Sequence, residues 1–74
     1  MKVIVNGVVV ETSLFFSDKR NRDVLVLTLY SDGQVFKIYD VPLDDIDSYP
    51  LYSIVSVPCR LYEGKKGIGF VYAK

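Results

Sequence analysis

A chain of 74 residues with no histidine and a single cysteine, Cys59, has no intrachain disulfide and lacks the usual ligands of a zinc site. At this length it is expected to be one domain, residues 1–74, near the lower limit for independent folding. Nine basic and nine acidic residues cancel, which argues against a duplex-DNA binder that works through bulk positive charge.

The first seven residues open apolar, but Asn6, Gly7 and Glu11 interrupt the run, so no export signal is expected. No stretch reaches the length of a membrane span, and a lone thiol suits a reducing compartment. A cytoplasmic protein with no membrane partner is the expectation.

Residues 2 to about 16 read as a long first strand, with a bulge or bend expected at Asn6-Gly7. Residues 17–22 are polar and form a hairpin loop. The second strand spans 23–30 and the third 34–40. Asp32-Gly33 between them suits a two-residue turn with positive φ. That turn sets Tyr30 opposite Val35, Leu29 opposite Phe36, Thr28 opposite Lys37, Leu27 opposite Ile38 and Val26 opposite Tyr39. Alternation then puts Leu25, Leu27, Leu29, Phe36 and Ile38 on a core face. Val26, Thr28, Tyr30, Val35, Lys37 and Tyr39 share the other, mixed face.

Pro42 and Pro50 bracket a break in the strand pattern. Within it Leu43, Ile46 and Tyr49 recur at threes, predicting one short helical turn that plugs a barrel end. A fourth strand is expected over 51–62, with Val55, Val57, Cys59 and Leu61 inward and Pro58 at an edge or bulge. Residues 63–67 turn the chain into a last strand, 68–73, pairing Leu61 with Phe70 and Cys59 with Tyr72. The reading is all-β: a five-stranded OB-like small barrel with a short helical turn between strands three and four. An SH3-like barrel is the alternative.

Catalytic signals are nearly absent. No histidine is present to act as base, Cys59 alternates with apolar residues as a core position does, and Gly64, Gly67 and Gly69 read as turn glycines. Asp44, Asp45 and Asp47 suit the start of a helical turn better than a metal loop. Neither a cofactor nor catalysis is expected.

The informative set is basic and aromatic. Single-strand binders combine a positive groove with rings on which bases stack, and OB-folds bind across strands two and three between the first and last hairpin loops. Those loops carry Lys19, Arg20, Arg22, Lys65 and Lys66, and the face between them carries Tyr30, Lys37 and Tyr39. Phosphate contacts fall to the cations and base stacking to Tyr30 and Tyr39.

In size, in its succession of hairpins with aromatic residues, and in a last strand closing as Phe70-Val71-Tyr72-Ala73-Lys74, the chain resembles the small single-stranded DNA-binding proteins of filamentous phages. The resemblance implies an OB-like homodimer that coats single-stranded DNA cooperatively. Zero net charge and the acidic 40–47 stretch depart from that pattern. A second reading is a non-catalytic protein-interaction or assembly module, of the kind used as phage or mobile-element accessories, with the mixed face as its interface.

Overall fold

The computed structural model describes residues 2–64 and 67–73. Five strands, β1 (Lys2–Ser17), β2 (Arg22–Ser31), β3 (Gln34–Pro42), β4 (Ile54–Gly64) and β5 (Gly67–Tyr72), close into a barrel, with a 3-10 helix (Leu43–Ser48) between β3 and β4. Around the barrel the order is β1-β2-β3-β5-β4. Because β4 returns beside β1, the first four strands form a Greek key. β5 then enters between β3, to which it is parallel, and β4, to which it is antiparallel. This is the OB-like architecture expected from the strand pattern.

β1 is long because it serves two neighbours. Residues Lys2 to Val8 pair with β4, and Val8 to Ser17 with β2. The bulge expected at Asn6-Gly7 lies instead at Val10, where the register to β2 shifts between Val9 and Glu11. Pairing to β4 runs unbroken through Asn6↔Ser56 and Gly7↔Val55. Gly7 is required for a different reason. A Cβ there would stand 2.8 Å from the Tyr30 carbonyl oxygen and 3.2 Å from Leu29 Cβ, so β1 crosses β2 too closely for any side chain.

The β2–β3 hairpin turns at Asp32 (φ 51) and Gly33 (φ 78), the two positive angles of a type I′ turn. Its register is the expected one from Ser31↔Gln34 to Leu27↔Ile38. The Val26–Tyr39 pair does not form. Leu25 faces Val41, so Tyr39 and Asp40 together stand opposite Val26 in a bulge. Asp40 takes φ 61 there, a left-handed angle that Asp tolerates better than most residues.

The core joins Val5 and Val9 of β1, Leu25, Leu27 and Leu29 of β2, Ile38 and Val41 of β3, Tyr49, and Val55, Val57 and Cys59 of β4. Phe36, expected within it, is half-buried and meets Phe70 edge to face, with ring centroids 5.7 Å apart at 79°. Leu61 is half-buried too. On the mixed face Val24, Val26 and Thr28 are buried, outside the core cluster. β2 is flanked on both sides along this length, and short Val and Thr side chains sink between those of its neighbours.

Of the three residues expected to plug the barrel, only Tyr49, just past the helix, enters the core; Leu43 and Ile46 are each 42% exposed. β4 begins three residues later than expected, because Tyr52 at φ 64 and a Ser53 hydroxyl donating to the Pro50 carbonyl at 2.6 Å hold a turn before it. Pro58 stands at a local edge, as expected, where β4 has only β1 as a strand neighbour. It pairs with Ile4 inside β4, one residue beyond the last β4–β5 pair, Cys59↔Tyr72. The β4–β5 register is the expected one and continues to Gly64↔Gly67. Among the described residues no helix is long and apolar enough to cross a membrane.

Candidate nucleic-acid interface

β3 and β5 pair only at Ile38↔Phe70 and Tyr39↔Val71. Over this short parallel seam lies an open groove of about 1350 Å³. Lys19 and Arg20 of the β1–β2 loop wall one end, Lys37 and Tyr39 project from β3, and Arg60 and Tyr62 stand on β4, with Phe36 and Phe70 among the lining.

The loop that supplies Lys19 and Arg20 is ordered locally. The Arg20 backbone N–H donates to Ser17 Oγ at 3.3 Å, and Asn21 at φ 54 turns the chain back into β2. Arg20 Nε also lies 3.6 Å from Asp40 Oδ2, both side chains being partly exposed. Such a pair contributes little stability, but it ties the loop to the β3 bulge and sets the loop over the groove. Among the described lining residues Lys19, Arg20, Lys37 and Arg60 face a single carboxylate, Asp40. A chain with no net charge thus concentrates cations in one place, and it is this local field that a polyanion meets.

Tyr62 is held by glycines. It pairs across the strands with Gly69, and a Cβ at Gly69 would lie 3.2 Å from Tyr62 Cδ1, while one at Gly64 would lie 2.8 Å from the hydroxyl. The ring therefore rests along bare backbone, half exposed to the groove. Gly64 and Gly69, expected to be turn glycines, are strand residues that make room for this ring.

At the β5 end the Tyr72 hydroxyl donates to Asp45 Oδ2 at 3.0 Å. Burial, followed by this hydrogen bond and the neighbouring Tyr49, pushes the Tyr72 phenol well above its ordinary range. The contact fixes β5 to the 3-10 helix and engages one of the acidic residues of the 40–47 stretch. Cys59 is buried, its thiol pushed up to about 11 by burial and directed at the Val57 carbonyl at 3.4 Å. It is a protonated core residue at neutral pH. Among the described residues no group of His, Cys, Asp and Glu could hold a metal ion.

Of the residues singled out in the sequence, Lys19, Arg20, Lys37 and Tyr39 meet in the groove. Tyr30 does not. It sits at the hairpin end of the sheet opposite Val35, beside a separate shallow depression lined also by Gly7, Val8 and Ile54. Arg22, the first residue of β2, is exposed but is not among the groove lining. Lys65 and Lys66 lie outside the described residues. Arg60 and Tyr62 were missed, although alternation with inward Cys59 and Leu61 puts both on the outer face of β4. Neither a family model, nor a curated protein, nor a solved structure matches this chain.

Proposed function

We propose that this chain is a non-catalytic, cytoplasmic module that binds single-stranded DNA along the groove with little sequence preference. The observation that carries the reading is the meeting of four cations and two exposed tyrosines, Tyr39 and Tyr62, in one groove of a chain without net charge. Lys19, Arg20, Lys37 and Arg60 contact phosphates, and the two rings stack on bases, a pairing of roles that suits single strands whatever their sequence. Lys65 and Lys66, which follow Gly64 of the groove wall in the chain, are assigned to phosphates from sequence. The likeness to filamentous-phage proteins belongs to this proposal, with the difference that the positive charge here is local.

Fluorescence anisotropy with labelled oligo-dT tests it. Binding at low salt is expected, and log Kobs should fall with log salt with a slope of about −4, roughly −0.7 for each of the six cations assigned to phosphates. Arg60→Ala should reduce that slope by about 0.7. A duplex of equal length should bind more weakly, because its bases are stacked on one another and not free to meet the rings. No binding to oligo-dT at low salt, or binding indifferent to salt, overturns the proposal.

A further inference from the structure

Beyond Val9, β1 has a neighbour on one side only. Its pairs with β4 end at Val8↔Ile54. At Val9 the chain before β4 takes over, the Val9 N–H donating to the Ser53 carbonyl at 3.0 Å and the Tyr52 N–H to the Val9 carbonyl at 2.7 Å. From Glu11 to Phe16 every pair is with β2, and among the described residues no backbone hydrogen bond reaches the other edge. On alternate residues of such a strand the N–H and C=O point away from the paired neighbour. The edge therefore offers a row of free donors and acceptors about 20 Å long. Its side chains are largely apolar. Leu14, Phe15 and Phe16 are 57%, 42% and 54% exposed. Leu14 and Phe16 lie opposite Leu25 and Asp23, on the core-facing side of the sheet, yet both stay open to solvent.

We propose that this edge takes up an extended segment of another protein, one that alternates apolar and basic side chains and adds to β1 as a further strand. The backbone decides the form of the occupant, because an extended chain is what satisfies a row of outward N–H and C=O groups. Edges that are to stay free carry Lys or Pro, and Glu11–Ser17 has neither. Apolar side chains of the incoming strand meet Leu14 and Phe16. Charge decides the rest. Glu11 is the one charged residue of β1 after Lys2, and exposed Asp23 lies opposite Phe16. Val24 links the edge to the 3-10 helix, since it pairs with Phe15 on one side and on the other with Pro42, the residue before the helix. That helix packs against β2 and β3 and carries Asp44, Asp45 and Asp47 with no base. Asp45 is already engaged with Tyr72. Against these acids stands Arg22, opposite Ser17, while Lys19 and Arg20 line the groove. The edge is acidic where the groove is basic, so the two draw different partners. The inference does not rest on the groove binding nucleic acid.

Fluorescence anisotropy of the full chain with a labelled peptide of alternating Val and Lys, long enough to span the edge, tests it. An alternating Val-Glu peptide and a Val-Lys peptide N-methylated at every backbone nitrogen are the controls. The Val-Lys peptide should bind at least about tenfold more tightly than either, since one control reverses the charge and the other removes the backbone donors. Leu14→Lys, at an exposed position and with the barrel intact by circular dichroism, should weaken binding about tenfold or more, by placing on the edge the residue that blocks pairing. Ile4→Lys, exposed on the part of β1 that β4 already pairs, should leave binding unchanged. Amide hydrogen exchange gives the location: amides within Glu11–Phe16 that exchange quickly in the free chain should slow when the Val-Lys peptide is added. Failure of that peptide to bind, equal binding of either control, an undiminished Leu14→Lys, an equal loss in Ile4→Lys, or no slowing within Glu11–Phe16 overturns the proposal. So does a dimer of the chain itself that Leu14→Lys dissociates, because the edge would then be occupied by a second copy.

Discussion

At Gly7 the barrel closes by bringing two backbones together, and the residue type follows from the space. A Cβ 2.8 Å from a backbone oxygen has no flexible neighbour to move. Gly7→Ala should therefore cost about 1–3 kcal/mol in urea denaturation, as overpacking does. Glycine at this position was legible, but its purpose was not, since a bend and a close crossing leave the same letter in the sequence. Tyr62 poses the same problem from the ligand side. Tyr62→Ala should weaken oligo-dT binding by about 1–3 kcal/mol for the lost stack, and Tyr62→Phe should bind nearly as well, because the ring does the stacking. Gly69→Val should reproduce the loss without touching the ring's chemistry, by lifting it from the backbone it rests on. Undiminished binding in both Tyr62→Ala and Gly69→Val would remove Tyr62 from the interface.

The β2–β3 hairpin is the element most fully legible beforehand. Asp32-Gly33 specifies a turn, the turn specifies the register, and the register names the core face. Leu29, fully buried on that face, should cost about 2–5 kcal/mol on change to Ala. A loss under about half a kcal/mol, within the usual range for surface changes, would contradict the face assignment. Legibility ends at Tyr39-Asp40. The bulge there shifts the register by one residue, and nothing in a run such as Ile38-Tyr39-Asp40-Val41 announces it, because Asp in a left-handed conformation is also an ordinary strand-end residue. Its consequence is local: it separates Tyr39 from the pairing expected with Val26 and sets Asp40 against Arg20 in the groove lining. The 3-10 segment was legible as a helical turn but not as a plug, since which of three equally spaced apolar residues reaches the core depends on where β2 and β3 end.

For the whole molecule, the buried Cys59 thiol and the half-buried Tyr72 phenol are expected to set the response to alkali. The Cys59 thiol is raised from 9.0 to about 11 by burial, and the Tyr72 phenol is raised as well. As pH rises through this interval, the unfolded chain releases the Cys59 proton while the native state still holds it. The unfolded state binds fewer protons, and stability falls with pH. Stability present below about pH 9 should be lost progressively towards pH 11, by about 3 kcal/mol for Cys59. Urea midpoints measured across this range should show that slope flattened in Cys59→Ala and flattened further when Tyr72→Phe is added. An unchanged alkaline limb in the double variant would show that neither group is responsible. Alternation, turn chemistry and spacing are local properties of a chain, and from them the sequence alone determined the all-β class, the five strands, the short helical turn and the two central registers. Which side chains share a groove is not local. The seam between β3 and β5 joins segments about thirty residues apart, and only its closure brings Lys19, Lys37 and Arg60 together while leaving Tyr30 outside the groove lining. Net charge is a sum over the chain, whereas a binding field is a sum over positions, and positions are decided by tertiary structure.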